Sequence, residues 1–198
     1  GLAQKGGSVY SHVRVAEHPE DLHAVRIAAG EADALIGADL VVSASDEALA
    51  KIALGKTRAI INSALSPTSD FTRNPDWLFP RDKMQNAISD AIGQTATDFI
   101  DAQKLATTLI GDAMATNLFM LGYAWQKGLV PVSAAALLAA IELNGTAFKM
   151  NIAAFNWGRC AAHDFPSVWR LVTPTSNVGD GVSPAPTDEE LVAIRSKF

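Results

Sequence analysis

Short apolar runs alternate with helix-capping signals through the N-terminal half of the chain, and this alternation constrains the fold more than any other sequence feature. Residues 8–16 (SVYSHVRVA) place Val9, Ser11, Val13 and Val15 on one face and Tyr10, His12 and Arg14 on the other, the period-2 pattern of a strand. The valines are expected to face a core, and the polar set a cleft or a partner. Residues 40–44 (LVVSA), 58–62 (RAIIN) and 98–101 (DFID) predict three further strands. Ser45 predicts the N-cap of a helix reaching about Ala53, its hydroxyl accepting from a first-turn N–H, with Gly55 closing that helix. Residues 82–92 predict another helix, while residues 17–30 and the proline-rich residues 66–81 predict loops. Strands and helices in this order imply βαβ units and a parallel sheet.

After Asp101 the pattern is helical over residues 103–127, 133–144 and 147–163, with breaks at Gly111-Asp112 and at residues 129–131. Leu118, Phe119, Met120, Leu121, Tyr123 and Trp125 leave the middle helix apolar on nearly every face, which predicts burial in a core or an interface. Residues 165–186 are rich in Pro, Ser, Thr and Gly and read as a linker. Thr187 and Glu190 form a capping box for a last helix over residues 188–197. The chain is therefore expected to comprise a domain of residues 1–164 and a tail of residues 165–198.

Composition narrows the function. Sixteen Lys and Arg against twenty-one Asp and Glu give 198 residues a net charge of −5, without the clustered basic face of a nucleic-acid or anionic-membrane binder. The uncharged stretches 113–126 and 128–141 are shorter than the roughly 18 residues of a spanning helix, so no membrane segment is expected. The one cysteine, Cys160, excludes an intramolecular disulfide and any multi-cysteine zinc or iron–sulfur site within this chain, and fits a reducing, cytoplasmic setting.

Several motifs lead nowhere. Residues 50–57 (AKIALGKT) fit a relaxed phosphate-loop pattern, but a phosphate loop follows a strand and opens a helix, and here the order is reversed. His12, His18, His23 and His163 lack ligand spacing, so no metal is expected in this chain. Cys160, among alanines, reads as a small buried hydrophobe. Two places retain a binding reading. Gln4-Lys5-Gly6-Gly7-Ser8 runs straight into the segment bearing His12 and Arg14: the glycines permit close backbone approach, and Lys5, Arg14 and His12 offer positive charge to a phosphate or carboxylate. A tight turn beside a solvated strand face explains the same residues equally well. Thr116 and Asn117, with Asn144 and Asn151, could read the polar edge of a ligand or simply satisfy backbone groups.

The sequence GLAQKGGSV, continued by Ser11-His12-Val13-Arg14, resembles the gamma domain of 2-oxoacid:ferredoxin oxidoreductases. The resemblance continues through Gly30-Glu31-Ala32-Asp33, the SASDEAL run at residues 43–49, NLFMLG at 117–122, GLVP at 128–131 and IELNG at 141–145. FTRNPDW at 71–77 and AFNWGR at 154–159 look most like the indolepyruvate branch in its long fused bacterial form. The resemblance spans residues 1–164.

It implies an α/β fold: a Rossmann-like three-layer parallel sheet lacking its first βα unit, with a helix-rich C-terminal half. In relatives that unit, with a Gly-rich turn, precedes the GLAQKGG segment, so this chain is expected to be a fragment of a longer polypeptide or to borrow a neighbour's strand. The resemblance also implies a part of an enzyme that decarboxylates a 2-oxo acid on thiamine diphosphate, reduces ferredoxin through iron–sulfur clusters and releases an acyl-CoA. Thiamine diphosphate and clusters would sit on partner domains, with ferredoxin met only indirectly. This part would help hold coenzyme A through Gln4, Lys5, Gly6, Gly7, Ser8, His12, Arg14 and Asn117, contribute no catalytic residue, and be inactive alone. Association into a homo-oligomer stays open. Two rivals are a non-enzymatic assembly module, using residues 113–125 and the Gly-Gly loop, and an independent α/β protein with its own small-molecule pocket.

Overall fold

The computed structural model describes residues 9–64 and 80–173. The chain divides into two compact units, Gly1–Ile100 and Asp101–Phe198. Residues 66–79 of the expected loop and the capping box at Thr187 lie outside the described residues.

The first unit carries a three-stranded parallel sheet, β1 (Ala34–Gly37), β2 (Arg58–Asn62) and β3 (Thr97–Ile100), in the order β1-β2-β3. Ala34 lies opposite Arg58 and Ala59 opposite Thr97, so β2 is paired on both sides. The sheet agrees with the expected α/β parallel class. Its central strand has the expected bounds, because Ala59, Ile60 and Ile61 are apolar without alternation, as a strand buried on both faces requires. Helix α1 (Leu40–Ser43) follows β1, α2 (Asp46–Leu49) precedes β2, and α3 (Arg81–Ile92) precedes β3. Leu40, Ile52, Ala59, Ile61, Ile88 and Ile92 form one core in which α1 and α3 pack over a face of the sheet. Each large aliphatic side chain buried there contributes about 1.5–3 kcal/mol.

Three local expectations are corrected. Leu40–Ser43 are helical, with Ala44 as the C-cap, and the strand lies one turn earlier at Ala34–Gly37. Asp39 decides this: its carboxylate accepts from Val42 N at 3.0 Å, and the Ser43 hydroxyl donates back to Asp39 O at 2.6 Å. A four-residue apolar run has no period to separate strand from buried helix, and the cap outweighs β-branched propensity. Ser45 does cap the next helix, accepting from Ala48 N at 3.4 Å, but that helix stops at Leu49 rather than near Ala53. Its would-be carbonyl partners are taken, since Gly30 N donates to Ala50 O and Ala32 N to Lys51 O. Residues 9–16 are extended but join no sheet. Val9, Val13 and Val15 point outward, 61%, 74% and 54% exposed, while Tyr10 and His12 are half-buried and Arg14 stays exposed. Alternation defines two faces without saying which is buried.

The GKT sequence behaves as a turn. Gly55 has φ +74°, Lys56 pairs with Asp33 at 3.7 Å, and the buried Thr57 hydroxyl donates to Ala32 O and accepts from Ala53 N.

The second unit is helical: α4 (Ala102–Ile110), α5 (Thr116–Gln126), α6 (Ala134–Asn144), α7 (Phe148–His163) and α8 (Phe165–Val172). Asp101, Ser133 and Asp164 cap α4, α6 and α8 through their side chains, and Gly111 and Gly145 end α4 and α6 in the left-handed conformation. Helices α5 and α7 run antiparallel in close contact, burying Phe119, Met120, Phe155 and Cys160. The expected burial of the middle helix is met by this packing. Residues 165–172 are not linker: Asp164 accepts from Ser167 N at 3.1 Å, Pro166 sits where a helix needs no N–H, and Val168 and Val172 are buried. Proline in the first helical turn reads in a sequence like the start of a loop.

Candidate functional site

The carboxyl end of β1 opens into a cavity of about 470 Å³. Ile36 and Gly37 form its floor, Asp39, Val42 and Ser43 one side, and Val9, Tyr10 and Ser11 another. In open parallel α/β sheets this end is where ligands bind, because loops rather than packed helices meet there.

Gly37 is required by how closely α1 returns to the strand. A Cβ there would lie 2.0 Å from Ser43 Oγ and 2.8 Å from Ile61 Cδ1. Asn62, at the end of β2, donates from Nδ2 to Ala38 O at 3.1 Å and accepts from Ala64 N at 3.2 Å, which fixes the turn after β1. Alongside, Ser63 N donates to Ile100 O, and Arg81 at the start of α3 donates to Ser63 O at 2.8 Å.

The wall formed by residues 9–11 is held by side chains. Tyr10 is hydrogen-bonded through its hydroxyl to Ser45 Oγ and, at 3.3 Å, to Val42 O. Ser45 Oγ itself donates to Val42 O at 2.8 Å. His12 accepts from Ile27 N through Nδ1 at 3.1 Å, which puts the proton of the neutral ring on Nε2. Arg14 donates to Arg26 O at 3.0 Å while remaining exposed. His12 and Arg14 thus bind consecutive backbone groups of the chain beneath them.

The other expected site residues are scattered or undescribed. Gln4, Lys5, Gly6, Gly7 and Ser8 lie outside the described residues, although Ser8 is bonded to cavity-lining Val9. Asn117 is exposed in the first turn of α5, in the second unit. Asn151 donates to Thr146 O at 3.0 Å, and the Thr116 hydroxyl donates to Ala113 O at 2.6 Å, so both serve local backbone. Gly37 and Asp39 are the residues that sequence reasoning missed; Tyr10 was placed on a polar face directed to a cleft or a partner, and Ser45 was read as a helix cap alone. The Gly37-Ala38-Asp39 turn between apolar runs was the available signal.

Among the described residues, the cavity lining offers hydroxyls, backbone groups and one carboxylate, Asp39, and no cation. Such a lining suits a neutral chain of amides and methylenes; an anionic group would need a cation from outside it. No group of three His, Cys, Asp or Glu able to hold a metal occurs among the described residues, and none of their helices is long and apolar enough to cross a membrane.

Comparison with known proteins places these features in context. The family described as pyruvate ferredoxin/flavodoxin oxidoreductase matches residues 1–161. The indolepyruvate oxidoreductase subunit IorB of Methanothermobacter thermautotrophicus is 26% identical over 164 residues, covering 82% of this chain and 79% of that protein. No solved structure gives a significant match.

Proposed function

Because the chain belongs to the pyruvate ferredoxin/flavodoxin oxidoreductase family, we propose that it is the gamma-type part of a 2-oxoacid:ferredoxin oxidoreductase whose substrate is indolepyruvate. The substrate reading rests on the name of the relative, an indolepyruvate oxidoreductase subunit. In this reading the reaction converts 2-oxo acid, CoA and oxidised ferredoxin into acyl-CoA, CO2 and reduced ferredoxin. Thiamine diphosphate and iron–sulfur clusters, carried by partner domains, supply decarboxylation and electron transfer, and the CoA thiol accepts the acyl group.

This chain's own contribution is to hold CoA and to assemble with those domains. The observation that carries the CoA reading is the cavity at the carboxyl end of β1, walled by the residues that directly follow Gln4–Ser8. Tyr10, Ser11, Ser43 and the apolar floor would receive the neutral pantetheine arm. Lys5, four residues before Val9, would supply the cation the phosphates need, assisted by N–H groups of Gly6, Gly7 and Ser8. His12 and Arg14 keep that stretch seated by binding residues 26 and 27. Asn117, exposed in the first turn of α5, would meet a partner domain. The assembly role is supported by α6, which is apolar along most of its length yet buries Ile141 alone and leaves Leu143 90% exposed.

Calorimetry of CoA binding to the assembled enzyme tests this reading. Lys5→Ala is expected to weaken binding about tenfold or more, the value of one charge-assisted hydrogen bond. Arg14→Glu is expected to weaken it as well. Unchanged affinity in both variants would overturn the CoA assignment and leave assembly as the role.

A further inference from the structure

We infer that Tyr10 is the positioning residue of the β1 cavity: its hydroxyl, acting through Ser45, latches the wall formed by residues 9–11 to the body of the first unit. This rests on the reading of that cavity as a cofactor site.

Within the described residues, 9–16 form an extended segment that takes part in no backbone-to-backbone hydrogen bond. A segment in a sheet is fixed by its ladder; this one is fixed by side chains at alternate positions. Arg14 and His12 anchor its far half to Arg26 and Ile27, away from the cavity. At the cavity itself the anchor is Tyr10. Tyr10 and Ser45 share a hydroxyl–hydroxyl hydrogen bond, both hydroxyls reach Val42 O, and Ser45 Oγ also accepts from Ala48 N at the start of α2. One hydroxyl therefore serves both as the helix cap and as the receiver of the latch. Val9 is exposed and Ser11 makes no hydrogen bond among the described residues, so neither replaces Tyr10. Freed of its hydroxyl, the segment would hinge at His12, and the wall formed by residues 9–11 would lose its fixed position beside the cavity. The fold would persist, because Ser45 keeps its acceptor and the ring of a phenylalanine fills the same space.

The test uses the assembled enzyme carrying Tyr10→Phe, with Ser45→Ala and the double variant. Under native conditions, subtilisin cleavage within residues 9–11 should accelerate about tenfold, while the melting temperature stays near wild type. The KM for CoA should rise several-fold with a smaller change in kcat, and the double variant should be cleaved there no faster than the more affected single variant. Unchanged cleavage within residues 9–11 in Tyr10→Phe overturns the latch, as does an additive double variant. Should Ser45→Ala fail to fold through loss of its cap, Tyr10→Phe alone decides. Accelerated cleavage with an unchanged KM for CoA upholds the latch and overturns the CoA reading of the cavity instead.

Discussion

Gly122 of α5 and Gly158 of α7 face each other's helix reciprocally: a Cβ on Gly122 would lie 1.9 Å from Phe155 O, and a Cβ on Gly158 would lie 1.9 Å from Phe119 O. Each glycine thus sits three residues after the phenylalanine whose carbonyl the other approaches. Two Phe-x-x-Gly turns, FMLG and FNWG, interlock on antiparallel helices. Hydrogen at these positions lets the backbones close, and the buried Phe119 and Phe155 rings fill the space beside the crossing.

Gly122→Ala and Gly158→Ala are therefore expected to destabilise the second unit, against the usual direction for a helical glycine. Helix propensity favours alanine by about 1 kcal/mol. Overlap with a backbone carbonyl that cannot rotate away costs about 3 kcal/mol or more, the upper end for overpacking. Denaturant midpoints should fall by the equivalent of roughly 2 kcal/mol in each variant, and a gain in either would show that the helices are not so close.

Gly37→Ala should lower stability by about 1–3 kcal/mol, because its methyl meets Ser43 Oγ and Ile61 Cδ1. Adding Ser43→Ala should recover part of the loss, since the oxygen contact disappears while the isoleucine contact remains. Thermal melts of the single and double variants decide this. A double variant no better than the sum of its parts would contradict the geometry at the cavity floor.

The Asp164 carboxyl is held below its ordinary value by the Ser167 hydroxyl and then by Ser167 N–H, with Arg170 and His163 assisting and desolvation opposing. The folded value is lower than the unfolded one, so this cap stabilises α8 fully above the unfolded carboxylate range near pH 4 and fades as pH falls through the lower folded value. The difference in melting temperature between wild type and Asp164→Ala should thus be largest near neutral pH and close towards pH 2. A gap independent of pH would show that the carboxylate does not cap α8.

Legibility followed the physics of each signal. RAIIN was readable because a buried central strand needs apolar residues without alternation, and the helices after Asp101 because Gly111, Ser133 and Gly145 mark their ends. Residues 40–44 misled because four apolar residues have no period and the deciding group, Asp39, lies outside the run. In residues 9–16 the alternation was legible but its sense was reversed: Tyr10, His12 and Arg14 find backbone partners, which outweighs turning three valines inward. The cavity was hidden altogether, since Val9, Gly37 and Val42 meet only through the chain's return after β1. The Phe-x-x-Gly pair was visible twice in the sequence, but nothing local shows that the two copies touch.

The most direct test of the proposed function is ferredoxin reduction by the enzyme assembled with and without this chain, supplied with indolepyruvate and CoA. The account predicts CoA-dependent reduction and indolylacetyl-CoA formation only when the chain is present, and none from the chain alone. Full CoA-dependent turnover without it, or turnover by the isolated chain, would contradict the assignment.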